Sequence, residues 1–291
     1  MNDAGAGRVF LMLQGPMSFF FTYLGAALRR RGAVARRVLL CPGDGLFHRG
    51  PDAVAFRDRP RDWPAWVEAQ IVNRGVTDIV CLGDGRRRHE DAIAVARALG
   101  VRVNVVEQGY LRPHFLTVEP DGTGGRSRFP RDWPAIEALA AGAPPSPRFR
   151  TSFAGYAAMD VAFNLANMLT SWVLYPHYKT HSLDTPLEEW SGWIWNKALR
   201  LGRRRRALKA AEATLAVHNG PLFVLPLQLD TDYQIRLHAP PGGVEGLLRR
   251  TLASFAAYAP ESAMIVVKVH PLDHGWADWG TRTKNIAAAV G

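Results

Sequence analysis

Four short stretches gather residue types that do chemistry, and each follows an apolar run. Gln14-Gly15-Pro16-Met17-Ser18 comes after VFLML and before a helical pattern, so its backbone N–H groups can face an anion, with Gln14 and Gly15 at the contact. A strand-to-helix turn calls for glycine with or without a ligand. Glu107-Gln108-Gly109-Tyr110-Leu111-Arg112-Pro113 places a carboxylate, a phenol and a guanidinium within one turn. Glu107 there is either a general base with Tyr110 and Arg112 gripping substrate, or the partner of Arg112 in an ordinary strand-end loop. In Leu227-Gln228-Leu229-Asp230-Thr231-Asp232-Tyr233-Gln234-Ile235 an amide pair, Gln228 and Gln234, can hold sugar hydroxyls or a base edge while Asp232 takes a proton, and His238 follows closely. The run IVVKVHP ends in His270-Pro271. Period-two alternation sets Lys268 and His270 on one face, where both can meet a phosphate, although a His-Pro pair also marks a plain strand terminus.

Two further signals are weaker. His89, after Gly83-Asp84-Gly85-Arg86-Arg87-Arg88, lies where a strand gives way to a helix and reads as a substrate contact or as a solvated helix start. No metal site is expected, because the histidines show no paired ligand spacing; Asp230-Thr231-Asp232 is the single carboxylate pair placed to take a divalent ion. No cofactor is implied.

The elements that must position these residues alternate β-rich and helical patterns over the first 110 positions: VFLML, a helix through Tyr23 to Arg31, ARRVLLC, a helix over Trp63 to Asn73, TDIVCLG, a helix over His89 to Leu99, and VRVNVVEQG. Such alternation predicts βαβ units and a parallel sheet. Ligands of open parallel sheets bind beyond the carboxyl ends of the strands, where each strand here ends in glycine or polar residues. The Gly-, Pro- and Arg-rich stretch 120–150 reads as a surface excursion. From 153 to about 215 the pattern is helical and dense in Trp and Tyr, suited to a membrane interface or to a helix-rich core. GPLFVLPLQLDTD and AMIVVKVHP then open a second doubly wound domain. About 22 residues follow Val269, fewer than the roughly 30 of another βαβ unit, so a shortened chain, or one completed by a partner, is expected. The expected divisions are 1–150, a Rossmann-like domain; 151–215, a helical, aromatic and basic connection; and 216–291, the start of a second Rossmann-like, nucleotide-binding domain.

Composition narrows the function classes. With 291 residues and 47% hydrophobic content, the chain can bury a large core, which excludes disorder. Cys41 and Cys81 sit beside strand-like runs, where thiols act as small core hydrophobes, so neither a disulfide framework nor a zinc site is expected. The start lacks a charged n-region and a cleavage site, and no stretch reaches the roughly 18–20 apolar residues of a membrane span, so an intracellular protein is expected. The formal charge is +10, and residues 196–210 carry Lys197, Arg200, Arg203 to Arg206 and Lys209 without an acid. That block is either a solvated helix face or a site for anionic lipid head groups; no nucleic-acid motif accompanies it.

Taken in order, LQGPMSFFF, FRDRPRDWPAW, TDIVCLGDGRRRHEDAI, VNVVEQGYLRPHFLTVE, PLQLDTDYQI and KVHPLDHG resemble the bacterial capsule polysaccharide biosynthesis and export family of β-Kdo transferases, from about residue 8 to 279. The resemblance implies a GT-B-like α/β arrangement of two Rossmann-type domains with parallel sheets, the C-terminal one incomplete here. It implies transfer of Kdo from CMP-Kdo to a (lyso)phosphatidylglycerol-type lipid. His270 and Pro271 match the motif that holds the nucleotide phosphate, Glu107 falls in the loop of the acidic catalytic candidate, and Gln228, Asp232 and Gln234 match the second-domain motif. The implied partners are the nucleotide sugar, the anionic lipid, the cytoplasmic face of the inner membrane and other capsule assembly proteins. A non-catalytic scaffold that grips lipid-linked glycan is the alternative, and nucleic acid is not expected. Members usually continue past the His-Pro strand.

Overall fold

The computed structural model describes residues 5–109, 115–143, 152–180, 182–196 and 201–290. The chain divides into two compact units, Met1–His181 and Ser182–Gly291, described separately.

The first unit runs β1 (Val9–Met12), α1 (Phe20–Arg30), β2 (Val34–Leu39), α2 (Pro42–Leu46), β3 (Ala53–Ala55), α3 (Trp63–Arg74), β4 (Asp78–Leu82), α4 (Arg87–Ala98), β5 (Arg102–Gln108), β6 (Leu116–Pro120), α5 (Trp133–Ala140) and α6 (Phe153–Leu174). Its strands form one sheet in the order β3-β2-β1-β4-β5-β6, parallel except for the β5–β6 pair. This is the α/β, Rossmann-like architecture expected from the alternating pattern. Period-two alternation explains how the sheet is covered. Leu11, Leu13, Ile79, Cys81, Val103 and Val105 point to the α3 and α4 side, where Trp63, Val67, Ile71 and Ile93 meet them. Phe10, Met12, Ala35, Val80 and Val106 point to the other face, under Phe21 of α1. Burying each such large side chain stabilises the fold by about 1.5–3 kcal/mol.

At the amino ends of the strands, Asp78 is fully buried and accepts from Arg8, Arg102, Thr77 and Asn104. Burial opposes the charge, but the Arg102 and Arg8 guanidiniums and the Thr77 hydroxyl win and hold its carboxyl well below the ordinary range.

Four elements of the first unit depart from expectation, one of them α2, which takes up the Gly43-Asp44-Gly45 stretch where the sequence pattern ends a strand. β3 and β6 are edge strands with alternating exposed residues, too short or too polar to stand out in sequence. The stretch 120–150, expected to be irregular, contains α5. Its start was signalled by Asp132, which accepts from the Ala135 N–H at 3.0 Å, and by Pro134 in the first turn.

The helical stretch 153–215 is divided between the units. α6 docks on α2: Phe163 is buried, and the Gly43 N–H donates to Asn167 Oδ1 at 2.8 Å. Only glycine allows that approach, since a Cβ on Gly43 would lie 2.4 Å from the Phe163 ring.

The second unit contains α7 (Pro186–Ile194), α8 (Leu201–Ala216), β7 (Leu222–Pro226), α9 (Tyr233–His238), α10 (Gly243–Tyr258), β8 (Met264–Lys268) and α11 (Trp279–Val290). β7 and β8 form a parallel pair, and Leu227, Val244, Leu248, Leu252, Trp279 and Ile286 make a small core beside it. Among the described residues, no helix is long and apolar enough to cross a membrane.

Candidate functional site

In the first unit the chain order of the strands reverses between β1 and β4, and the crevice outside such a switch point is where open α/β sheets take ligands. The loops after these two strands are Leu13-Gln14-Gly15-Pro16 and Gly83-Asp84-Gly85-Arg86. Gln14 is 4% exposed and joins the loops together. Its Nε2 donates to both oxygens of Asp44, at 3.2 and 3.3 Å, and to Cys41 Sγ at 3.6 Å, while its Oε1 accepts from Arg86 Nη1 at 3.4 Å. Gly15 is buried against the Phe21 ring.

Asp44 also accepts from the Leu40 N–H at 2.8 Å. Burial pushes its carboxyl upward, opposed by that N–H, by Arg37 and by Gln14. Burial likewise lowers the Arg86 guanidinium, opposed by the charges of Tyr178, Asp44 and Glu107, and raises Tyr178, whose ring sits beside Gln14 and Cys41. Both cysteines are free and buried, and burial pushes the Cys81 thiol up to about 12. These thiols are inert packing groups.

Helices α1 and α4 leave the crevice with no capping side chain on Phe19 or Arg86. Uncapped helix starts beside a half-buried guanidinium are suited to an anion. Glu107 stands next door, at the end of β5, its Oε1 accepting from the Gln108 N–H at 2.8 Å. Gly83 turns under it with φ +68°, and a Cβ there would sit 3.4 Å from Glu107 Oε2. Tyr110 and Arg112 lie outside the described residues.

His89 is neither a solvated helix start nor on the crevice surface. It is 1% exposed, its Nδ1 lies 2.8 Å from the Gly83 carbonyl, and burial together with Arg86 lowers its pKa to about 3. The imidazole is therefore neutral and braces the Gly83 turn from within.

In the second unit the last paired residues of β7 and β8 are Pro226 and Lys268, so Gln228 and His270 leave the same end of the parallel pair, each two residues beyond. His270 Nδ1 accepts from the Leu272 N–H at 3.1 Å. That bond assigns Nε2 as the proton-bearing nitrogen of the neutral ring, a donor suited to a phosphate oxygen. Lys268 and Pro271 are exposed beside it. Asp232 caps α9 through the Gln234 N–H at 2.9 Å, and Asp230 reaches the Val244 N–H at the start of α10 at 3.5 Å. The two carboxylates thus serve two different helix starts. Gln234 lies in the first turn of α9, and His238 is its last residue, with Nε2 buried. Beyond Pro271, the loop folds onto α7: His274 Nε2 is 3.1 Å from Asp184 Oδ2, and Trp276 Nε1 donates to the Glu188 carbonyl at 3.0 Å. Among the described residues no three His, Cys, Asp or Glu side chains gather as a metal ion would require.

These strand ends fall within a match to the family described as capsule polysaccharide biosynthesis protein, which spans residues 77–290. The chain belongs to that family. It is similar to the capsule polysaccharide export protein KpsS of Escherichia coli, with 30% identity over 277 residues, covering 93% of this chain and 69% of that protein. It is also similar to the capsule polysaccharide modification proteins LipB of Neisseria meningitidis serogroups A and B, each 28% identical over 278 residues, covering 92% of this chain and 66% of the relative. The chain thus spans about two thirds of the length of these capsule proteins.

Sequence reasoning passed over three residues of this capsule-family chain: Asp44, Asp84 and Arg86. Asp84 is fully buried, with Oδ2 bound by Arg126 at 3.1 Å and Oδ1 without a hydrogen-bond partner among the described residues. A signal was present, since Asp44 and Asp84 both stand in a Gly-Asp-Gly triplet, the second directly after β4 and the first within α2, shortly after β2.

Proposed function

We propose that this capsule-family protein is a GT-B-type glycosyltransferase that moves Kdo from CMP-Kdo to a (lyso)phosphatidylglycerol-type lipid, building the capsule linker at the cytoplasmic face of the inner membrane with other capsule assembly proteins. The observation that carries it is the parallel β7–β8 pair, which brings Gln228 and His270 out of one end, with His270 Nδ1 occupied by the Leu272 N–H. Support for the sugar class comes from the family and from the motifs around Glu107, Asp232 and His270.

In this reaction the acceptor hydroxyl attacks the anomeric carbon of Kdo as the bond from that carbon to the CMP phosphate oxygen breaks. The hydroxyl proton passes to a carboxylate, Glu107 or Asp232. The CMP phosphate leaves with the bond electrons, and His270 Nε2–H and Lys268 stabilise its charge. Gln228, Gln234 and His238 hold the sugar and the base, and Tyr110 and Arg112 contact the acceptor side, whereas Gln14 and Gly15, buried in the crevice floor, hold the loops rather than the acceptor. His89 acts by bracing the loop.

Incubation with CMP-Kdo and lyso-phosphatidylglycerol should release CMP, and Glu107→Gln should lower release by about 100-fold at unchanged melting temperature. No release, under conditions in which a related enzyme turns over, removes catalysis. The word export in the name of the E. coli relative favours a second reading, a scaffold that binds lipid-linked polysaccharide. Lipid binding without CMP release would select it.

A further inference from the structure

We infer that the outer face of α6, with the basic groove at its carboxyl end, is the surface by which the protein lies on an anionic phospholipid bilayer. This rests on the proposed lipid acceptor only in the choice of lipid.

Phe163 and Asn167 commit one side of α6 to α2. The opposite side carries Val161, Leu165, Met168, Leu169, Trp172 and Val173, which are 38%, 41%, 42%, 68%, 75% and 59% exposed. Their spacing, i, i+4, i+7, i+8, i+11 and i+12, is a single helical stripe, about 18 Å long at 1.5 Å per residue. A contiguous exposed apolar stripe is an interaction surface. Its most exposed ring is prepared for apolar surroundings, since Trp172 Nε1–H already donates to the Leu169 carbonyl at 2.9 Å and need not be desolvated.

Charge selects the occupant. At the Leu174 end of the stripe lies a groove of about 480 Å³ lined by Arg57, Arg59, Arg61 and His177, with Asp58 and Asp62. Arg61 is engaged by Asp62 at 3.6 Å, and Arg57 packs over the Tyr175 ring at 5.3 Å. Lys179 is exposed just beyond. An apolar helix face that ends in a cluster of basic groups matches the boundary between acyl chains and anionic head groups, with tryptophan at the interface.

Flotation of the full chain with phosphatidylcholine vesicles, with and without phosphatidylglycerol, tests this. The protein should float only when phosphatidylglycerol is present. Arg57→Ala and Arg59→Ala should each weaken partitioning by about fivefold, with Arg59→Lys unaffected, and Leu169→Asp with Val173→Asp should abolish it. Because Cys41 and Cys81 are buried, a polarity-sensitive dye can be placed on Val173→Cys or, as control, on Val72→Cys in α3. The first should shift to the blue on adding vesicles and the second should not.

Wild-type protein that stays unbound overturns the inference, as does flotation indifferent to these changes, which would place the contact elsewhere, for example on the arginines of α8. A dye at Val173 that is already blue-shifted without lipid, in a dimer broken by Leu169→Asp, assigns the stripe to a second copy instead. CMP release on a detergent-dispersed acceptor reports the chemistry separately. Flotation without release leaves docking standing and removes the transferase, whereas release without flotation does the reverse.

Discussion

The strand ends of the two units handle polar groups in opposite ways. In the first unit a six-stranded sheet, flanked by buried clusters on both faces, ties its polar tips to one another: Gln14 to Asp44 and Arg86, and Asp84 to Arg126. In the second unit a two-stranded sheet leaves Gln228, Asp230 and Lys268 exposed and fixes the neighbouring groups through helix caps and one turn. A sheet covered on both faces favours partners for the polar groups near its ends, because leaving one unsatisfied costs about 1–3 kcal/mol, and Asp84 Oδ1 is an exception among the described residues. A thin sheet imposes no such demand, and its tips stay available to a ligand. Chemistry and stability should therefore separate between the units under mutation.

The largest effect is expected from Asp44→Ala, which strands the Gln14 amide and the Leu40 N–H inside the first unit. A loss of about 3 kcal/mol is expected in denaturant unfolding. A loss below about 1 kcal/mol would mean that the buried polar cluster is not what holds these loops. His270→Ala should do the reverse, lowering CMP release by about 100-fold with the melting temperature unchanged. If instead it melts the protein, the imidazole is a structural group and the contrast fails.

Asp232 sharpens the comparison, because it carries a proposed chemical role and an observed capping role at once. Asp232→Ala should cost about 1 kcal/mol from the lost cap, whereas Asp232→Asn keeps the cap. Activity that survives in the Asn variant leaves Glu107 as the base.

The smallest effect is a slope. The His89 pKa is lowered to about 3 in the fold from the ordinary 6.5, so the unfolded chain binds the extra proton between these values. Stability is complete above about pH 6.5 and falls as the pH drops from there toward 3. Thermal melts at pH 7.5 and 5 should show this fall in the wild type and a shallower one in His89→Asn. Equal slopes would mean that the ring is solvated.

Much of the first sheet was legible because its strands are buried on both faces, and continuous runs such as VFLML and DIVCL state that directly. β3 and β6 were not, since an edge strand such as Ala53–Ala55 buries little and leaves no pattern. In the second unit the positions of Gln228, Lys268 and His270 at or just beyond strand ends were legible for a related reason, since the ends of β7 and β8 can be counted from their apolar runs. Asp44 and Arg86 were invisible as partners of Gln14 because pairing across 30 and 72 positions is created only when β1, β2 and β4 come together. His89 shows the limit of local reading, since Arg86-Arg87-Arg88 beside it looks solvated while the ring itself turns inward.

The open side of β7 has a practical consequence. Among the described residues this strand has one ladder partner, β8, and Leu222, Phe223 and Val224 are 51%, 48% and 59% exposed. An apolar strand with unpaired backbone groups along one edge templates further pairing, so concentrated preparations should form sheet-joined aggregates. A lysine in place of Val224 is the natural solubilising change, and it lies on the strand without altering the residues beyond Pro226.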